Sequence, residues 1–241
     1  MSEPVPARLS ASVLLLRDDP LNVLMVKRRA EAVFPSALVF PGGAIDAGDW
    51  DTAWLDHVVG AENLSDEQRA LRIGAYREVF EETGVLVGAP SIAHSEGRFL
   101  DVVREANIAL PLSALRPFGH WITPEAAPKR FDTHFFLCPA PPSAHPVKAD
   151  GEVLSFEWLA PDEALRRAAT RESLVLFPTR MNLRRLAESV SAGDALEAAN
   201  RQPPVTVRPA IEKREEGIFI VIDAEAGYGV TEDGPHKGGV F

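Results

Sequence analysis

Apolar runs separated by turn residues divide much of the chain into short strands. The runs at 12–17 and 23–28 flank Asp18-Asp19-Pro20-Leu21-Asn22, which predicts a hairpin. A short strand at 37–40 runs into a Pro-Gly-Gly turn. Four later runs also predict strands, the last of them with no partner identified by the sequence: 115–122, 131–138, 153–158 and 217–223.

Helical signals are clearest between Ser65 and Gly84. Ser65 with Gln68 three residues later matches a capping box, and Gly84 supplies a C-terminal stop. We expect its apolar residues to face a core: Leu71, Ala75, Tyr76, Val79 and Phe80. Further helices are predicted at 98–107, 161–168, 179–190 and 195–199, with a short amphipathic helix inside 50–64. This order of elements favours an α+β fold in which helices cover a mixed sheet.

The polar side of the same helix carries three carboxylates, Glu78, Glu81 and Glu82. Their spacing stacks like charges about one turn apart, which costs roughly 0.2–0.5 kcal/mol per pair. A cation among them would offset that repulsion, and carboxylate oxygens favour Mg²⁺ or Mn²⁺ over zinc. Gly74, one turn before Glu78, either leaves room beside the carboxylates or is merely tolerated in the helix.

The composition of the chain argues against several classes of protein. The 241 residues carry a formal net charge of −10, which argues against a protein that coats nucleic acid. No stretch approaches the ~18 apolar residues of a membrane span, and the N-terminus lacks the pattern of a secretory signal. The single cysteine, Cys138, excludes an internal disulfide and is predicted to be a buried strand residue. We therefore expect a cytoplasmic protein without a membrane partner.

The segment Arg77-Glu78-Val79-Phe80-Glu81-Glu82-Thr83-Gly84-Val85, together with Phe40-Pro41-Gly42-Gly43, resembles the Nudix box. Asp49, six positions after Gly43, stands where that family has a glutamate. From Asp49 to Arg77 the chain spans 28 positions, against eight in the family pattern, so the box carries an insertion.

The resemblance implies an α/β/α sandwich and a metal-dependent pyrophosphohydrolase. It assigns the metal ligands to Glu78, Glu81, Glu82 and the backbone carbonyl of Gly43. Arg77 would orient the glutamates, with Glu81 as its partner.

The general base is left open by the resemblance, because the family takes it from the box or from a later loop. Glu78 is the candidate in the box. Glu152 is the favoured later candidate, with an ordinary exposed loop carboxylate as the alternative reading. Asp150 and Glu125 are weaker candidates.

Trp121-Ile122-Thr123-Pro124 and Arg130-Phe131-Asp132-Thr133 resemble the long-insertion branch of the family. That branch contains eukaryotic peroxisomal and mitochondrial coenzyme A diphosphatases, so CoA or acyl-CoA would be cleaved to 3′,5′-ADP and (acyl-)4′-phosphopantetheine. Arg28, Arg130 and Phe131 are the substrate-binding candidates. Phe131 or Trp121 would stack on the base of the substrate, and core packing is the alternative reading for both aromatic residues. The C-terminus is not a peroxisomal address.

Two other functions stay open. One is hydrolysis of ADP-ribose, NADH or a dinucleoside polyphosphate; the other is a non-catalytic nucleotide-binding module, against which the intact glutamates argue. A di-iron protein is excluded because the chain has no Glu-x-x-His pairs.

We divide the chain into a Nudix domain at 1–190, with its insertion at about 50–64, and an extension of unknown role at 191–241. Family members are often dimers, so a homodimer is allowed. His120, His134 and His145 lack metal-ligand spacing and are expected to be structural or surface residues.

Overall fold

The computed structural model describes residues 5–28, 37–88, 97–142, 144–146 and 153–236, apart from the side chain of Arg28. Within these residues, a mixed sheet of eight strands occupies the centre of the molecule. Its strands are β1 (Arg8–Arg17), β2 (Asn22–Arg28), β3 (Leu38–Val39), β4 (Gly42–Ala44), β7 (Arg116–Ile122), β8 (Phe131–Pro139), β9 (Val153–Leu159) and β10 (Thr206–Val207).

The order of the sheet is β10-β7-β8-β1-β2-β3, while β4 pairs with β1 and β9 with β2. β1 runs parallel to β8 and antiparallel to β2 and β4, which confirms the predicted hairpin. One register row matters for the site: Ala11 lies opposite His134 on β8 and opposite Gly43 on β4. Residues opposite one another in a sheet share a face, so this row puts His134 on the same face as the Gly-Gly turn (Gly42–Gly43, where β4 begins), with β1 between the two.

One face of the sheet is covered by α1 (Asp66–Thr83) and α2 (Phe99–Glu105), and the other by α3 (Pro161–Ala169), α4 (Phe177–Ala187) and α5 (Ala192–Arg201). The alternation of β1 explains the two cores. Val13 and Leu15 enter the cluster beneath α1, whereas Leu14 and Leu16 enter the cluster beneath α4 and α5. The result is the predicted α/β/α sandwich.

The insertion packs onto α1. Short 3₁₀ helices at Ala47–Trp50 and Thr52–His57 replace the amphipathic α-helix expected inside 50–64. Asp51 separates them, since its extended backbone ends the first and its side chain accepts the N–H of Ala53 at the start of the second. β5 (Val58–Val59) then pairs in parallel with β6 (Leu110–Pro111).

The last strands form a sheet of their own. β12 (Gly217–Val221), whose partner the sequence did not identify, pairs antiparallel with β11 (Ala210–Arg214) and β13 (Glu232–His236). Earlier in the chain, Ala195 and Ala199 of α5 are buried in the core on the α4 side of the central sheet. Residues beyond 190 therefore contribute to the covering of the central sheet.

Candidate active site at the carboxylate helix

Helix α1 is capped at both ends by the residues from which the sequence predicted it. The Ser65 side chain accepts the N–H of Gln68, and the Gln68 side chain accepts the N–H of Ser65. At the other end Gly84 has φ of 68°, which a side-chain-bearing residue rarely adopts, and its N–H donates to Phe80 O at 2.7 Å. The carboxylates therefore sit in the last two turns of a well-defined helix.

Arg77 lies at the centre of the site. Its guanidinium donates twice to Asp49, Nε to Oδ1 at 3.0 Å and Nη2 to Oδ2 at 2.9 Å. Nη1 also donates to Glu78 Oε1 at 2.8 Å and to Glu81 Oε2 at 2.9 Å. The predicted pairing of Arg77 with Glu81 is present. The partner that the sequence did not anticipate is Asp49, which is 1% exposed and lies 28 positions earlier.

Asp49 therefore serves as the anchor of Arg77. Its Oδ2 also accepts the N–H of Asp46 at 2.8 Å, which closes the capping box of the 3₁₀ helix. The missing side chain of Gly74 makes room for this contact, because a Cβ there would lie 2.8 Å from Asp49 Oδ2. Gly74 thus leaves room beside a carboxylate, and that carboxylate is Asp49.

The Gly-Gly turn approaches the helix closely. The N–H of Gly42 donates to Glu82 Oε2 at 2.9 Å. At Gly43 an added Cβ would lie 2.6 Å from both oxygens of Glu78, so only glycine leaves the carboxylate in place. Glu82 was expected on the outer face with Glu78 and Glu81. It is instead buried, because the turn supplies a backbone donor for its carboxylate.

Burial and charge act in opposite directions on these groups. Burial raises the pKa of Glu78 above its ordinary value, and the adjacent Arg77 charge and hydrogen bond counteract part of that rise. Burial would lower the pKa of Arg77, but its hydrogen bond to Asp49 and the charges of Glu78, Asp49 and Glu81 raise it. Arg77 therefore stays charged among these three acidic groups.

The donor set suits a hard divalent cation. Glu78, Glu81 and Glu82 offer carboxylate oxygens, and the close approach of Gly43 brings backbone to the same place. Arg77 already neutralises part of the charge on Glu78 and Glu81 and fixes their positions. The residues fit the group that the Nudix resemblance implies.

Comparison with known proteins decides the family. A family model described as the NUDT19 Nudix domain matches residues 91–186. An acyl-coenzyme A diphosphatase NUDT19 from Gallus gallus is 28% identical over 279 aligned residues, which cover 85% of this chain and 73% of that protein. A putative nudix hydrolase 7 from Caenorhabditis elegans is 30% identical over 216 residues, covering 84% of this chain and 68% of that protein. The chain belongs to the Nudix hydrolase family.

A solved structure agrees with the fold of this Nudix hydrolase. The crystal structure of a NUDIX hydrolase from Alicyclobacillus acidocaldarius is 28% identical and superimposes with a TM-score of 0.65, over 80% of this chain and 96% of that one. The membership of the Nudix family and the α+β fold class that the sequence predicted are therefore confirmed. Across the described residues, no helix of this Nudix hydrolase has the length and apolar character needed to cross a bilayer.

The remaining predicted site residues differ in how far the structure describes them. Glu152 and Asp150 fall outside them, as does the side chain of Arg28. The Arg130 guanidinium donates to two backbone carbonyls, from Nε to Thr123 O at 3.1 Å and from Nη1 to Val5 O at 2.8 Å.

The two aromatic candidates differ in burial. Trp121 is 3% exposed and stacks edge-on against Phe177, with its indole N–H donating to Tyr228, so it is a core residue. Phe131 is only partly buried, at the first position of β8 of the Nudix sheet.

The Nudix sheet also carries a cluster that sequence reasoning missed. His120, Asp132 and His134 lie together on β7 and β8. The spacing of His120 and His134 along the chain does not show this proximity, because the antiparallel register of β7 and β8 brings them opposite one another. The available signal was the Asp-x-His spacing within a strand, which puts both side chains on one face.

Proposed function

We propose that this Nudix hydrolase cleaves the pyrophosphate of CoA or acyl-CoA to 3′,5′-ADP and (acyl-)4′-phosphopantetheine. The observation that carries the chemistry is the joint placement of Glu78 and Glu82 against the Gly42–Gly43 turn, with Arg77 anchored by Asp49. The choice of substrate is supported by the names of the relatives, acyl-coenzyme A diphosphatases that match over four fifths or more of this chain.

In this reaction a water attacks one phosphorus and the bridging P–O bond breaks, so two anionic phosphate products separate. A divalent cation, for which we propose Mg²⁺ or Mn²⁺, would be held by Glu78, Glu81, Glu82 and the carbonyl of Gly43 and would supply the charge neutralisation that the pyrophosphate oxygens need. Glu82 is kept in place by the N–H of Gly42. Arg77 keeps Glu78 and Glu81 in place.

For the proton of the attacking water we propose Glu78 as acceptor. Its burial raises its pKa above the ordinary value, which makes it a stronger proton acceptor. Glu152 is our second candidate, with Asp150 and Glu125 as weaker ones.

We propose contacts to the substrate from Arg28, Arg130 and Phe131. Since Arg130 also holds the carbonyls of Thr123 and Val5, it would position the start of β8 as well. We further propose a cytoplasmic enzyme and leave a homodimer as an arrangement to be tested by its mass in solution.

The test is release of phosphorylated products with Mg²⁺ from CoA, acetyl-CoA, ADP-ribose, NADH and diadenosine polyphosphates. The full-length enzyme is compared with Glu81→Gln and with Glu67→Gln, an exposed residue in the first turn of the same helix. We expect CoA species to be cleaved best, Glu81→Gln to be inactive and Glu67→Gln to be unchanged.

Three other outcomes would change the conclusion. Preferential cleavage of another nucleotide would leave the site intact and refute the CoA assignment. An active Glu81→Gln variant would refute the role of the carboxylate helix. Binding of nucleotides without turnover by the unmodified enzyme would favour a non-catalytic module.

A further inference from the structure

His120, Asp132 and His134 form a compact polar cluster on one face of the central sheet. His120 on β7 lies directly opposite His134 on β8, and their rings stack with centroids 4.0 Å apart and an angle of 23° between planes. Asp132 precedes His134 by two positions, so its side chain emerges on the same face. Two neighbouring strands thus present three ligand-type side chains to one point.

The distances within this histidine cluster are short. His120 Nε2 lies 2.6 Å from Asp132 Oδ1, and His134 Nε2 lies 3.6 Å from the same oxygen. One ligand atom from each of the three residues lies within 4.8 Å of the others. Ligand atoms about 2.0–2.1 Å from a tetrahedral ion are about 3.4 Å from one another, so small side-chain rotations bring these atoms to that spacing.

Two further features prepare the rings to act as ligands. His120 Nδ1 lies 2.8 Å from the hydroxyl of Thr206, which fixes the ring and directs Nε2 toward Asp132. Such a second contact is the usual support of a metal-ligating histidine. Burial, then the neighbouring His120, lower the pKa of His134 to about 4, so its imidazole is neutral and keeps a lone pair at pH 7.

The cluster is also accessible. The side chains of His120, Asp132 and His134 are 20%, 29% and 26% exposed, which leaves a side open for an ion to enter and for a water as a further ligand. Three protein ligands with one open position are the pattern of catalytic zinc sites. The Arg72 charge contributes a little to the lowered pKa of His134 and acts against a cation at the cluster.

We propose that His120, Asp132 and His134 form a binding site for a divalent transition metal of the zinc class, separate from the carboxylate site on α1. The two sites differ in chemistry, since imidazole favours zinc, cobalt, nickel or copper and the glutamates favour Mg²⁺. They are neighbours in space: His134, Ala11 and Gly43 share one register row, so His134 is two strand spacings, about 10 Å, from the Gly-Gly turn.

The experiment is a titration of the metal-free full-length protein with Co²⁺ in excess Mg²⁺, which keeps the carboxylate site occupied. A four-coordinate site with two imidazoles gives strong visible absorption, and a carboxylate–water site does not. We expect one equivalent of absorbing Co²⁺ that Zn²⁺ displaces. His134→Ala and His120→Ala abolish the absorption, and Thr206→Val weakens Zn²⁺ binding about 10–100-fold.

Two controls separate this site from others. His145→Ala alters an exposed histidine outside the cluster, and Glu82→Gln alters the carboxylate site; both keep the absorption. Asp132→Asn, which preserves shape, serves if a histidine variant fails to fold, and it reduces the absorption. No absorption from the unmodified protein, or absorption retained in both histidine variants, would overturn the proposal and leave a hydrogen-bonded cluster only.

Discussion

Arg77 and Asp49 form a buried two-point ion pair that joins the two halves of the interrupted Nudix box. Both hydrogen bonds are 3.0 Å or shorter, and the side chains are only 10% and 2% exposed. Because Asp49 precedes the insertion and Arg77 follows it, the pair closes the inserted segment at its base. The acidic residue at position 49 therefore orients the arginine that holds the glutamates.

Asp49→Asn tests this pair. The variant keeps the shape of the side chain but removes the most buried anion that pairs with Arg77, which costs about 3 kcal/mol in the free energy of unfolding. Urea denaturation measures the loss. The exposed Asp56→Asn, in the same insertion, should change stability by less than about 0.5 kcal/mol. Equal urea midpoints for Asp49→Asn and the unmodified protein would show that the pair contributes no net stability.

Gly43→Ala tests the close approach of the turn to the helix. The new methyl would lie 2.6 Å from both oxygens of Glu78, and that flexible side chain can swing away, so the fold survives while the carboxylate is displaced. A displacement of about 1 Å at a reacting group costs on the order of 100-fold in rate, and we expect kcat to fall by that factor.

The control for Gly43→Ala is Gly48→Ala, at a position where an added Cβ meets no atom within 4 Å. Its kcat should equal that of the unmodified enzyme. Retained activity in Gly43→Ala, measured with CoA and Mg²⁺, would argue that Glu78 has no fixed position in the reaction.

The helix and its carboxylates were predictable because local rules determine them. The capping box at Ser65, the stop at Gly84 and the spacing of the glutamates are all encoded within one segment. The burial of Glu82 was not predictable in the same way, because its donor, Gly42, lies 40 positions away. A contact distant in sequence buries the Glu82 carboxylate, and the pattern of residues within the helix does not predict such a contact.

The histidine cluster illustrates the same limit in the sheet. Whether His120 meets His134 depends on the register of β7 against β8, which includes an irregularity between Pro117 and Gly119. A shift by one residue would send one ring to the opposite face. The strands themselves followed from their apolar runs, whereas the meeting of their polar residues required the register.

Trp54→Ala tests whether the insertion is part of the folding unit. Trp54 is 2% exposed, contacts Phe99 with ring centroids 5.5 Å apart, and donates its indole N–H to Gly48 O at 2.9 Å. Removing it should cost about 3–5 kcal/mol, seen as a lower urea midpoint. The neighbouring Leu55 is 53% exposed, so Leu55→Ala is the matched control and should have little effect. An unchanged midpoint for Trp54→Ala would mean that the insertion unfolds independently.

The buried thiol of Cys138 should make the free energy of unfolding depend on pH in the alkaline range. Burial raises the pKa of this thiol from 9.0 to about 12, against a smaller opposing contribution from its contact with Tyr76. The folded state thus keeps a proton that the unfolded state releases above pH 9. The stabilisation is complete below pH 9 and is lost as the pH rises toward 12. In Cys138→Ala this loss is absent, so the stability difference between the two proteins should shrink as the pH increases.

Urea midpoints of the unmodified protein and of Cys138→Ala at several pH values measure this difference. Val103→Ala, a fully buried deletion in the same core, should cost the same at every pH. A Cys138→Ala deficit as constant as that of Val103→Ala would show that the thiol ionises equally in both states.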